Sequence, residues 1–442
     1  MQDSGETVLH PVGLAALVLC AILHLVLPRK YALWPVAFLL CFVAKRQCIA
    51  IAGLNFFLIR IMVLFVSPVR LVIHGELRGF RFNRLDLLVF AYGLIYLLMG
   101  MVNFGPASSD FKTRLGYMTE TLAIYMLVRV VVRTRGDLHS VIRCFAWISL
   151  PTLAFFLVEH STSRNLFSMF GGVPPVDLVR EGRIRCMGPY AHPILAGVYW
   201  ASVLPLFLAE VMLFRLRRPL FVVATAATCG IIVLTASSTP ALGLMTAFAG
   251  MAAYRLRRLA RPTAVAAVFL LFCLHLVMKA PVWHLIARIN VTSGDSGYHR
   301  FLLVDGFINH WREWYLTGSV LGTAHWGHFT FDAADQYVVA GIQCGLIGLV
   351  LFLACLLSAF LRVGQVERRA RVLGWALGVS LGVQCVSFLG ISIWGQFQFM
   401  HAFTLALIGS ASMFRLPRPR RRPRRPRQQP QAFVLAPSTA TQ

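Results

Sequence analysis

Acidic residues are scarce: the 442-residue chain has 17 Asp and Glu against 42 Lys and Arg, a formal net charge of +25. Long polar stretches are scarce too, since 58% of the residues are hydrophobic and the mean hydropathy is +0.70. Apolar runs recur along nearly the whole length, which describes a chain whose solvent is mostly lipid and excludes a set of ordinary soluble domains. The ten cysteines include no CxxC and no Cys/His ligand spacing, and Cys20, Cys41, Cys229, Cys273, Cys355 and Cys385 lie within apolar runs. Neither a disulfide framework nor a metal site is indicated. No Lys or Arg precedes the first apolar run in "MQDSGETVLH". The basic start of a cleavable signal peptide is missing, so the first span is expected to remain.

What is present are runs such as "GLAALVLCAILHLVL", "LDLLVFAYGLIYLLMG", "PLFVVATAATCGIIVLTA" and "AVAAVFLLFCLHLVM". Alone or with their flanks they match about 30 Å of hydrocarbon as helices. Counting them gives 12 or 13, so the expected fold is all-α, a polytopic membrane helix bundle over residues 1–414. The basic residues fall in short clusters between the runs: 215–218, 255–261, 362–371 and the tail from Arg415. Short basic loops stay cytoplasmic, so these clusters define one face of the protein and carry no nucleic-acid signal. The Pro/Arg-rich segment 415–442 cannot pack a core and is expected to be a disordered cytoplasmic tail that meets anionic lipids. Near the N-terminus the count is open: Arg29 and Lys30 suggest an outside N-terminus, but Lys45 and Arg46 then lie outside as well. Arg60, in "FFLIRIMVLF", must be paired in the bundle or turned to a cavity.

Two stretches interrupt the spans, 159–190 and 279–336, and the charge count puts both on the outer face. Together they hold eight of the 17 carboxylates but only eight of the 42 Lys and Arg, with six of the 13 histidines. Acid and base balance there and nowhere else, so chemistry is expected there. Within the second, Phe301, Val304, Ile308, Trp311 and Tyr315 follow a helical period and predict a helix lying on the membrane surface. Gly341 and Gly345, like Gly374, Gly378 and Gly382, have the spacing of close helix packing.

Three segments resemble the O-antigen ligase and O-antigen polymerase superfamily of bacterial inner-membrane glycan-transfer proteins. "RIRCMGPYAHPILAGVYWASVLPL" (183–206) is similar to that family's Arg, Gly, His-Pro-Asn segment, with Ile194 in place of the Asn. "IIVLTASSTPALGLMTAF" (231–248) stands where the family has a Ser-Arg-Gly turn, here Ser238-Thr239-Pro240 without the arginine. "YHRFLLVDGFINHW" leading to "DAADQYVVAGIQCGLIGLVLF" resembles an Arg-bearing helix followed by His-Asn-x-Tyr/Phe and a Gly-rich span, with Asp335-Gln336-Tyr337 where ligases place a His. The likeness covers roughly residues 180–355.

The resemblance implies a glycan on a polyprenyl pyrophosphate as donor and an acceptor glycan or lipid, joined during surface or secreted polysaccharide assembly together with other assembly proteins. Arginines would neutralise the leaving pyrophosphate and a base would take the acceptor proton, with no cofactor or metal. No Asp-x-Asp of the kind that holds a metal-bound nucleotide sugar occurs. Arg183, Arg185 and Arg300 are the matching arginines, with Gln336 and Asp332 beside them as substrate-binding candidates. Asp335, His192 and His328 are candidate catalytic groups, with His325 a further base. Structural alternatives stand beside each. Juxtamembrane arginines anchor to head groups, His192-Pro193 can simply start a helix, and Asp332 with Asp335 can form a capping box at the helix start. A lipid-linked sugar transporter or a non-catalytic assembly partner are the rival functions.

Overall fold

In the computed structural model the described residues are 9–51, 54–176, 178–180, 182–214, 219–288, 296–327, 333–366 and 370–414. The tail at 415–442, His328 and Asp332 lie outside them. From the N-terminus, α1 (Pro11–Val26) and α2 (Leu33–Phe42) lead into a hairpin of β1 (Cys48–Ile51) and β2 (Leu54–Phe57). One helical stretch follows as α3 (Leu58–Ile61), a π-helical turn at Met62–Val66 and α4 (Ser67–Ile73). Then come α5 (Arg84–Phe104), α6 (Ser109–Val131) and α7 (Arg135–Thr162), and a second hairpin of β3 (Leu178–Arg180) with β4 (Arg183–Arg185). After it run α8 (Pro193–Phe214), α9 (Pro219–Leu234), α10 (Ser238–Ala252) and α11 (Ala260–Val277). The short α12 (Ser296–Asn309) and α13 (Trp311–Trp314) precede α14 (Gln336–Val363), α15 (Arg371–Ser387) and α16 (Gly395–Ala411).

The chain is predominantly helical, as the apolar runs require. Among the described residues α5, α7, α8 and α14 are long and apolar enough to cross a membrane, and a fifth crossing appears if Ser238–Leu259 and Pro262–Val277, bent by 99°, count as one. This is fewer than the 12 to 13 spans read from the sequence. The reason is length: runs such as those of α1, α9 and α15 fold as helices of 16, 16 and 17 residues, short of the roughly 20 that bare hydrocarbon demands.

Contacts at the helix ends fix which termini lie together. Arg362 Nη1 at the end of α14 donates to Ser412 Oγ (3.4 Å), Asn83 Nδ2 before α5 donates to the Gly409 carbonyl (3.5 Å), and Arg29 pairs with Asp137 (3.4 Å) at the start of α7. Asp335 lies before the first residue of the 28-residue α14 and so toward the other end of the bundle, within the roughly 40 Å that an unbroken helix of that length would span. The early basic residues are placed by contacts of the same kind. Residues 24–30 sit at the Arg362 end, where Arg70 donates to the carbonyls of His24 and Leu27 and pairs with Glu76. Ala44 and Arg46 sit against Gly172, near the Asp335 end. Lys45 is not left facing water: its Nζ donates to Gln398 Oε1 (2.8 Å) and lies 3.7 Å from Glu120, which also pairs with Arg60. Arg60 is therefore paired inside the bundle.

Helix α16 is buried along its whole length and forms the axis around which α6, α8, α14 and α15 pack. Helix α14 is not continuous, because Gly345 has φ +67 and ψ −170. The groups freed by the break are satisfied by neighbours, as an apolar surround demands. Ser319 N–H donates to the Ile342 carbonyl (2.8 Å), Arg114 Nη1 to the Gln343 carbonyl (2.9 Å), and Leu346 N–H to the Tyr315 carbonyl (2.8 Å). Gly345 thus serves a break, whereas Gly341 serves close packing against the Phe307 ring, as its spacing suggests. The helix expected over this segment forms as α12, but its buried side is not the expected one. Leu303 and Trp314 are the buried side chains, while Ile308, Trp311 and Tyr315 of the expected apolar stripe are exposed. The aromatic density of this segment supplies two apolar faces, and the period alone does not say which one the protein takes.

Candidate functional site

Glu159, near the end of α7, anchors one half of the site. It is 1% exposed, and its two oxygens accept the N–H groups of Met187 (2.7 Å) and Gly188 (2.9 Å). Asn165 Nδ2 donates to the Gly188 carbonyl (2.7 Å). Gly188 has φ +56, and a Cβ there would lie 2.6 Å from the Phe156 ring, so the close approach needs glycine. The β3–β4 hairpin arrives at this anchor with Arg180 paired across to Arg183 and Leu178 to Arg185. Alternation along the strand puts Arg180, Arg183 and Arg185 on one face.

Arg183 stays exposed on that face, whereas Arg185 turns into the protein and is only 7% exposed. Its Nη2 donates to Ser237 Oγ (3.2 Å), in the turn between α9 and α10, while its Nε is buried without a hydrogen-bond partner. Among the described residues no carboxylate comes within 4.0 Å of it. Burial, then repulsion from Arg180, hold its pKa below the ordinary arginine value. Arg300 reaches the same turn from α12, its Nη2 donating to Thr239 Oγ1 (2.9 Å). A Cβ on Gly390 would meet both groups at 2.7 to 2.8 Å, so the turn after α15 closes over them. Two arginines, one from segment 159–190 and one from segment 279–336, therefore converge on Ser237 and Thr239. The expected Ser-Thr-Pro turn lacks its own arginine, and side chains from elsewhere fill the space.

Asp335 is the N-cap of α14. Its Oδ1 accepts the N–H groups of Tyr337 (2.8 Å) and Val338 (3.1 Å), and the side chain is 1% exposed. The helix begins at Gln336, so the cap is Asp335 itself, one turn later than a box opened by Asp332 would place it. Burial pushes the carboxyl up to about 6, against the opposing pull of the two backbone donors and of Arg300. Arg300 in turn is held below its ordinary value by burial, partly countered by Asp335. Carboxylate and guanidinium thus feel each other at the helix mouth.

Gln336 does not share that face. Its N–H donates to the Phe388 carbonyl (2.9 Å), and its Oε1 accepts the Ile393 N–H (2.6 Å), which tie α14 to the loop before α16. It turns toward a small interior cavity of about 50 Å³ also lined by Tyr117, Gln398 and His401. His192 precedes α8, where its Nδ1 accepts the Ile194 N–H (3.2 Å). Burial and then Arg185 bring it down to about 4, so it is neutral at ordinary pH. A neutral imidazole accepting at Nδ1 carries its proton on Nε2. It presents that N–H to a ligand, while its Nδ1 is occupied by the Ile194 N–H. His325 lies apart, paired with Glu313 (2.6 Å).

The site is therefore a pair of converging cations, a neutral donor and one buried carboxylate whose pKa lies near neutrality. Such a set holds a dianionic group and accepts a proton. Among the described residues no group of three His, Cys, Asp or Glu is placed to hold a metal ion. Arg180 and Glu159 were not singled out from the sequence. For Arg180 the signal was available, since "VREGR" is a strand-turn-strand pattern with Gly182 in the turn. For Glu159 none was, because its partners are backbone groups 28 residues away. The chain matches no model of a known protein family, and no curated protein matches it.

Proposed function

We propose that the protein joins a glycan carried on a polyprenyl pyrophosphate to an acceptor hydroxyl at the periplasmic face of the bacterial inner membrane, as a polymerase or ligase of surface or secreted polysaccharide. The observation that carries this is the convergence of Arg185 and Arg300 on the Ser237–Thr239 turn beside buried Asp335. In the reaction, the acceptor oxygen bonds to the anomeric carbon, the carbon–oxygen bond to the pyrophosphate breaks, and Asp335 takes the acceptor proton. Arg185 and Arg300 meet the charge that develops on the leaving pyrophosphate, with Arg183 at the entrance. The accompanying architecture is a bundle of 12 to 13 passages in which the shorter apolar helices join the four long ones. Its C-terminus is cytoplasmic, in keeping with Arg29, Arg84 and Arg362 at the end opposite Asp335.

The test is the glycan made in cells carrying Arg183→Ala, Arg185→Ala or Arg300→Ala. Loss of polymer with intact membrane insertion is expected, and a normal glycan size distribution from all three variants would refute the assignment. In a deletion strain, single repeat units identify a polymerase and unattached long chains a ligase.

One observation favours transport as a second reading. Polar groups extend along α16 through Gln398, His401 and Thr404, linked to Thr121, Gln384 and Lys45. Loss of the lipid-linked donor from the outer leaflet in a deletion strain would support a transporter, and accumulation of short product the enzyme.

A further inference from the structure

At the end of the bundle away from Asp335, a groove of about 770 Å³ opens between the start of α5 and the end of α14. Its polar rim is Arg84, Arg362 and Asn83, and its floor runs along Leu87 and Phe90. No described lining residue is acidic. Asp86, the nearest buried carboxylate on α5, is already engaged by Arg129 (2.7 and 2.8 Å) and by the Tyr125 hydroxyl (2.6 Å). Arg362 makes one long contact, to Ser412, and its Nε is buried without a partner. Among the described residues that line it, the rim thus presents two cations and no carboxylate.

We propose that this groove binds an anionic phospholipid, with the phosphate on Arg84 and Arg362 and an acyl chain along Leu87 and Phe90. Both walls belong to helices long and apolar enough to span a bilayer. Leu87 and Phe90 lie one and two turns inward from Arg84, about 4.5 and 9 Å along the axis. That ordering, charge at the boundary and exposed apolar surface below it, is the profile of a lipid. Leu87 is 69% exposed, a cost in water but none against an acyl chain. A free phosphate would use the rim alone, and a water-soluble partner would not reach the floor.

The experiment uses the full chain in nanodiscs of phosphatidylcholine with a minor fraction of diazirine-tailed phosphatidylglycerol. Photolabelling mapped by mass spectrometry should fall on residues 82–90, and labelling confined to other segments overturns the proposal. Arg84→Gln with Arg362→Gln should lower that labelling about thirtyfold at low salt, on the scale of two interfacial cations. Neutralising the tail arginines should leave it in place. Equal labelling with the double Gln variant, or suppression by millimolar inorganic phosphate, rejects a lipid held by these arginines. Should the double variant not fold, wild-type competition decides: excess unlabelled phosphatidylglycerol must displace the probe and phosphatidylcholine must not.

Discussion

One oxygen of Asp335 holds the first turn of α14 while the carboxylate also faces Arg300, so the cap and the proposed base are the same side chain. Asn keeps the capping oxygen but not the basicity. Asp335→Asn is therefore expected to insert normally and to lose activity by about a hundredfold or more, on the scale of general base catalysis. In the wild type, activity should fall tenfold per pH unit below about 6, as Asp335 protonates. Glycan formation by membranes assayed from pH 5 to 8 checks both, and retained activity in the Asn variant would leave Asp335 as a cap alone. The stability effect has the opposite sense. The folded carboxyl binds its proton more tightly than the unfolded one, so the fold loses stability as pH rises from about 4 to 6. Ionised Asp335 then costs on the order of 3 kcal/mol at neutral pH. Asp335→Asn should consequently melt no lower than wild type at pH 7.5, with its relative advantage gone at pH 4.

At the scale of elements, two breaks in regular structure position the site. Glu159 holds the Met187–Gly188 corner that delivers Arg185, and the interruption of α14 at Gly345 lets the 315–319 loop dock against it. Gly345→Ala puts a Cβ into the Leu316 carbonyl at a positive φ, and is expected to cost about 2 kcal/mol or more. A lower melting temperature in detergent checks this. Glu159→Gln should keep the fold but loosen the hairpin, raising amide exchange at 183–188 and weakening donor binding more than it slows turnover. The hairpin was not read from the sequence, although Gly182 in its turn carried a signal for it. Nor was the helix break, because Gly341 and Gly345 have the spacing of packing residues, and only the docked loop makes one of them a break.

For the whole molecule, the decisive charges are those inside the bundle. Glu120 is fully buried between Lys45 and Arg60, and removing it leaves two part-buried cations without their counter-charge. Glu120→Ala is expected to cost about 3 to 5 kcal/mol and to reduce the yield of folded protein sharply. Quantifying folded protein in membranes tests this. The arrangement of helix ends also predicts that engineered cysteines at Gly322 and Gln365 react with an impermeant maleimide from opposite sides of the membrane. Labelling from one side only would contradict α14 as a membrane crossing.

The nearness of Arg185, Arg300 and Asp335 was what the family resemblance implied, whereas the sequence by itself determined that the chain is helical, with apolar runs that could cross a membrane and basic residues clustered between them. Composition and spacing carry those properties, because hydropathy and short-range charge are local. Only the tertiary structure decided that Asp335 rather than Asp332 caps α14, that Gln336 faces inward, that His192 is a donor, and that Arg60 is paired. Each of these depends on which groups from distant segments compete for the same hydrogen bond or the same charge. A reading along the chain holds no information about partners 28, 60 or 200 residues away.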